Sequence, residues 1–258
     1  MRRTHLLLHF ILTVLILTRY YGISNCPAGF EDMGDDLCFL NVNIVTTYCN
    51  AQEECANQGA ARGLRLFIPG RHAAKIAEHF SYRLTIFTSW NAHLNRPSDL
   101  RSGWRVGDPG SAAFATKKSD TSVPWGPRQP DCRYQAVAMY HEGLLQDEEQ
   151  DTRLATSVVC ELSRRPLAGS PELFRSKWPR TLKSLFMSAS KSTGCFHSIL
   201  VSSLVSCGMK CKLHKHCRAL YYNSVTKYCE LSLYIDSLLP THQTAVSENW
   251  FRFGRPNW

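Results

Sequence analysis

The chain has 258 residues, room for one large domain or two small ones. Its eleven cysteines argue against a reducing compartment, because a set of that size reads as a disulfide framework built in the secretory pathway. The formal charge of +9 hides an asymmetry: residues 25–162 carry 13 Lys and Arg against 17 Asp and Glu, and residues 163–258 carry 14 against 4. The second half therefore favours polyanionic partners, sulfated glycans or anionic cell surfaces sooner than nucleic acid.

The chain opens with Arg2 and Arg3, an apolar run from Leu6 to Thr18, and the small residues Gly22 and Ser24. That is the pattern of a signal peptide over residues 1–24. The run is shorter than the roughly 20 residues that span a bilayer, and no later stretch is apolar enough to do so. The expected product is a secreted, extracellular chain with no transmembrane segment.

The stretch "TTYCNAQEECANQGA" predicts a helix, with Thr47 as N-cap, Ala51 and Cys55 stacked on one face and Gly59 as the stop. A second helix is expected in "GRHAAKIAEHF", where Ala73, Ile76, Ala77 and Phe80 repeat at three and four. Glycine- and proline-rich chain comes next, then two short strands around Tyr134 to Tyr140 and Ser157 to Leu162. This describes an α+β domain with long loops. Trp90, Trp104 and Trp125 are candidates for stacking on a sugar ring, against the commoner role of packing beneath loops. The run "DEEQD" from Asp147 is read as a solvated loop.

Residues 163–194 are rich in proline, serine and basic side chains, with a single acid, and read as a basic linker able to add a strand to the domain after it. Beyond it, Cys207 and Cys211 lie four apart and share one face of a helix. Cys217 then opens a strand "CRALYYN", and Cys229 falls in the next strand after the turn "NSVTK".

The opening "CPAGFEDMGDDLCF", the first helix, "SGWRVGDPG", "WGPRQPDC" and the closing "SVVCEL" together resemble the C-type lectin-like domain across Cys26 to Leu162. The resemblance implies that Cys55 pairs with Cys160 and Cys26 with Cys38. The third pair departs from the family: no cysteine lies between Gln146 and Val159, and Cys49 is extra. Cys49 is then expected to pair with Cys132, provided their Cα atoms come within about 7 Å. In the same family Gln129-Pro130-Asp131 resembles the galactose-type tripeptide, with calcium as cofactor. Gln129 and Asp131 would be metal and sugar ligands, and Gln146 and Asp147 their counterparts on a later strand. The family's tryptophan there is replaced by Leu145, and its glutamate loop is deleted, leaving Glu142 as a substitute only if the chain folds back. The competing reading makes Pro130 a rigid turn, with Gln129 and Asp131 bonding locally.

The second half resembles the PAN or apple domain over residues 195–258, which implies Cys207 with Cys229 and Cys211 with Cys217. Cys195 would be unpaired and available for a disulfide-linked dimer. Cys211, His214, His216 and Cys217 could form a zinc set, but their spacing fits no standard finger and secreted cysteines oxidise first. Arg164, Arg165, Arg175, Lys177, Arg180, Lys183, Lys210, Lys212, Lys215 and Arg218 form the candidate polyanion-binding, heparin-type surface.

No metalloprotease, serine-hydrolase or phosphate-loop motif is present. The expected function is adhesion to glycan or protein ligands by two separate modules with no chemistry. The alternatives are a calcium-independent protein-binding module of inhibitor or receptor-ligand type and, less favoured, a secreted enzyme such as a hydrolase.

Overall fold

The computed structural model describes residues 25–80, 84–94, 99–121, 123–165, 172–187, 192–240 and 249–258. The expected signal peptide lies outside the described residues. In the first half, β1 (Glu31–Asp32) and β2 (Cys38–Val42) precede helix α1 (Tyr48–Ala61). The short β3 (Leu66–Phe67), helix α2 (Lys75–His79) and β4 (Ile86–Asn91) come next, then β5 (Val137–His141), β6 (Leu144–Glu148) and β7 (Val158–Leu162). They form two antiparallel sheets, ordered β1-β2-β7-β3 and β4-β5-β6. Pairing of β2 with β7, from Phe39 opposite Glu161 to Val42 opposite Val158, brings the two ends of this half together.

Helix α1 buries Tyr48, Ala51, Gln52, Cys55, Ala56 and Gly59 on one face. It does not stop at Gly59 but runs through it to Ala61. A Cβ at position 59 would lie 2.9 Å from Leu64 O and Leu66 N, so this glycine is needed for close approach of β3. Thr47 stands at the N-cap without a side-chain bond. Strand β4 was not expected from the sequence, and all six of its residues are buried.

The second half is a five-stranded antiparallel sheet ordered β8-β12-β10-β11-β9. Its strands are β8 (Arg175–Ser176), β9 (Phe196–Leu200), β10 (Cys217–Asn223), β11 (Tyr228–Leu233) and β12 (Trp250–Gly254). Helix α3 (Leu204–Leu213) covers one face, with Ser203 as N-cap accepting from Ser206 N at 3.2 Å. Strand β8 comes from the expected linker. Disulfides Cys207–Cys229 and Cys211–Cys217 fasten α3 to β11 and to the start of β10, so Cys211 and Cys217 are not zinc ligands.

Across the sheet from α3, Asp236 is buried with two arginines. Arg218 Nε lies 3.1 Å from Asp236 Oδ2, and Arg252 Nη2 donates to Oδ1. Burial pushes the Asp236 carboxyl up, but Arg218, Arg252 and Arg105 outweigh it and hold the group below its ordinary range. Arg252 Nε also donates to the Tyr221 hydroxyl at 3.0 Å, which in turn donates to Ser237 O at 2.6 Å.

The two halves are not separate modules. Cys26–Cys38 and Cys55–Cys160 close within the first half, but Cys49 bonds to Cys195, with Cα atoms 5.6 Å apart. The expected Cys49–Cys132 bond does not form, and Cys195 is not available for a dimer. The reason lies in where α1 begins: its first turn faces the segment entering β9, whereas Cys132 is held in a bend beside β6 by its backbone. Cys132 keeps its thiol.

The Gln150 side chain crosses the same seam. Its Oε1 accepts from Gly194 N at 2.9 Å and lies 2.8 Å from His93 Nε2, and its Nε2 donates to Gly194 O at 3.1 Å. Cys195 and Ile235 pack into one apolar cluster with Leu40, Tyr48, Phe87, Val137 and Met139. The C-terminal Trp258 accepts from Gly110 N at 2.8 Å, with the Arg65 and Arg218 guanidinium groups over its ring at 4.6 and 4.7 Å.

Candidate functional site

The loop from Trp125 to Cys132 lies along β6. Trp125 forms a parallel bridge with Leu145 and packs edge-on against Trp104, ring centroids 4.7 Å apart. Gly126 N donates to Leu145 O at 2.8 Å, and Gln129 N to Gly126 O at 3.0 Å. Trp104 is fully buried and its Nε1 donates to Leu100 O, while Trp90 is buried with its Nε1 on Gly70 O. These indoles pack the core under the loops.

The Gln129-Pro130 bond is cis. Asp147, buried on β6, receives the loop: Oδ1 accepts from Asp131 N at 2.9 Å and Oδ2 from Cys132 N at 3.1 Å. Gln129 closes the circuit, with Oε1 accepting from Asp147 N at 3.1 Å and Nε2 donating to Asp131 Oδ2 at 3.2 Å. Three of the four candidate ligands thus latch the loop to the strand. Gln146 is half-buried, and strand alternation puts it on the face opposite Asp147. Glu142 occupies the exposed tip of the β5–β6 hairpin at φ 48, followed by Gly143 at φ 85, a two-residue turn that suits the strand twist.

Calcium takes six to eight oxygens. Here Asp147 and Gln129 direct theirs at backbone N–H groups, and no set of three His, Cys, Asp or Glu suited to a metal exists among the described residues. The donor set does not fit calcium.

The candidate basic residues fall into four environments. Arg175, Lys177, Arg180, Lys183, Lys210 and Lys215 are exposed. Arg164 and Arg165 are exposed beside the first half, Arg164 at 4.0 Å from Asp36 and Arg165 lying over Gly110. Lys212 is half-buried and, together with Arg255, meets Glu172. Arg218 is only 1% exposed and belongs to the buried Asp236 cluster, so it is not part of any polyanion-binding surface. It lies on β10, a strand buried on both sides, where its charge is needed opposite Asp236. Among the described acids after residue 163, Glu230 and Asp236 are buried, and the half-buried Glu172 turns its side chain inward onto Lys212 and Arg255, leaving it 4% exposed. The described surface of the second half thus shows cations and no exposed carboxylate.

Sequence reasoning missed a cleft of about 460 Å³ in the first half, bordered by Arg71, His72, Asp108, Glu161 and Arg165. His72 Nδ1 lies 2.8 Å from Glu161 Oε1. That hydrogen bond raises the His72 pKa; burial raises Glu161 and Asp108, against the bonds that His72 and Ser89 make to them. These residues are far apart in the chain, and no local spacing marks them.

No family model matches the chain, and no curated protein matches it. Several solved structures are similar to it. The C-type lectin CEL-I from Cucumaria echinata is 20% identical, over 55% of this chain and 99% of that one, with a TM-score of 0.40. The mouse scavenger receptor C-type lectin carbohydrate-recognition domain is 18% identical, over 55% and 100%, with a TM-score of 0.39. A calcium-independent type II antifreeze protein is 15% identical, over 53% and 92%, with a TM-score of 0.36.

Proposed function

We propose that this chain is a secreted recognition protein without catalytic chemistry, a C-type lectin-like half joined to a PAN/apple-like half. It binds glycan or protein ligands at cell surfaces or in matrix, independently of calcium. The observation that carries the reading is the second half's described surface, where Arg175, Lys177, Arg180, Lys183, Lys210 and Lys215 are exposed and no described acid is. Such a field draws sulfated polyanions at long range. The first half offers the loops between Trp104 and Asp147 to a protein or glycan ligand.

Calcium independence is supported by the latch at Asp147, which uses the tripeptide to shape a bend. The tripeptide sequence itself favours a second reading, calcium-dependent galactose binding. Heparin chromatography and calorimetry separate the two. The proposal expects elution above about physiological salt, where exposed charges are screened within roughly 8 Å, and no heat from millimolar calcium with or without galactose. Elution below that salt would overturn the polyanion reading. Heat from calcium and galactose together would establish the second one.

A further inference from the structure

Helix α3 is bridged to the sheet along one side, and near its end Lys212 reaches the inward-turned Glu172. Cys207 and Cys211 are buried and bridged to the sheet. On the opposite side Val205, Met209 and Leu213 recur at four-residue intervals and are 72%, 61% and 74% exposed. At 3.6 residues per turn they form one stripe about 80° wide. Three large apolar side chains in water on a ten-residue helix fastened by two disulfides are not needed by the core. Exposed Lys210 borders the stripe, exposed Lys215 stands just beyond the helix end, and α3 contains no acid.

The occupant must cover apolar surface and carry negative charge. A sulfated polysaccharide would meet the lysines and leave the stripe in water. A second copy would bring two cationic, acid-free faces together. An anionic phospholipid surface supplies both requirements: phosphates for the lysines and an acyl boundary for the stripe. We propose that α3 lies flat on anionic membrane surfaces, with Val205, Met209 and Leu213 entering the headgroup boundary and Lys210 and Lys215 on lipid phosphates. It does not span, since no helix among the described residues is long and apolar enough to cross a membrane. Membrane contact through this stripe involves neither the Asp147 latch nor any bound sugar.

Co-sedimentation of the disulfide-intact protein with phosphatidylcholine vesicles, with and without phosphatidylserine, tests it. Binding is expected to the mixed vesicles alone. Replacing Val205→Ser and Met209→Ser together should lower partitioning about tenfold or more, from the apolar area no longer buried, while leaving heparin retention unchanged. Lys210→Ala with Lys215→Ala should weaken both. Leu213→Trp, in an otherwise native chain, should shift its emission to the blue on the mixed vesicles. Wild-type partitioning by the Val205/Met209 variant, or an unshifted Leu213→Trp emission, would overturn the proposal in favour of charge alone. A concentration-dependent dimer abolished by Val205→Ser and Met209→Ser would overturn it in favour of a second copy.

Discussion

Removing the bridge between the halves, by Cys49→Ser with Cys195→Ser, probes the seam directly. The separation of 146 residues overstates the loop, because Cys55–Cys160 already ties the first half together. The chain the bridge closes is Cys49 to Cys55 and Cys160 to Cys195, roughly 40 residues, for which the chain-entropy relation gives about 4 kcal/mol. The matched control, Cys26→Ser with Cys38→Ser, opens a loop of separation 12 and should lose about 3 kcal/mol on the same relation. The assay is guanidinium unfolding without reductant, followed by tryptophan fluorescence and far-UV circular dichroism. Because Cys195 and Ile235 share a cluster with Tyr48 and Phe87, both probes should report one transition. Two separated transitions in the intact protein, a loss below about 1 kcal/mol for the seam variant, or a peptide map joining Cys49 to Cys132 would refute the shared core.

Other consequences arise from single groups. Asp236→Ala leaves Arg218 and Arg252 buried without their carboxylate and should destabilise by about 3–5 kcal/mol in chemical denaturation. Since the folded pKa of Asp236 is depressed, its contribution is present above the unfolded carboxyl value and lost as pH falls through the folded one; Asp236→Asn should flatten that acid limb. Asp147→Ala removes the acceptor of two backbone N–H groups, should cost about 2–3 kcal/mol, and should expose the loop after Trp125 to faster proteolytic nicking. His72 is raised by its bond to Glu161, so its contribution is complete below the unfolded value and disappears as pH rises through the folded one. Its NMR titration midpoint should lie above the ordinary histidine value and fall in Glu161→Gln.

Local rules reached some parts of this molecule and not others. The four-residue spacing of Cys207 and Cys211 marks the buried face of α3, and "CRALYYN" coincides with β10 from Cys217 to Asn223. Strand β4, "IFTSWN", has all six residues buried and so lacks the alternation that marks a half-exposed strand. The partner of Cys49 is beyond sequence reasoning for a different reason. Within the first half only Cys132 is left for it, whereas the bond depends on α1 meeting the segment before β9, a tertiary fact. Arg218 looks like one more cation in a basic run; only Asp236, eighteen residues later, removes it from the surface. At Gln129 to Asp131 the sequence carries the residue types of a metal site. Whether those atoms face outward or toward Asp147 is decided by hydrogen bonds that local sequence does not encode.

The seam also constrains how recognition can work. A flexible linker would let the halves engage ligands independently, with an effective concentration set by its length. Here Cys49–Cys195, the paired Gln150 amide and Trp258 between Arg65 and Arg218 fix one half against the other. The loop after Trp125 and the stripe on α3 then belong to one body, and their separation is a property of the fold. A partner touching both must present its two features at a matching distance, since no linker can take up a mismatch. Rigid presentation also spares the ordering entropy that a tethered module loses on binding. Opening the seam with Gln150→Ala and Cys49→Ser/Cys195→Ser should leave heparin retention intact while weakening any ligand that bridges the halves.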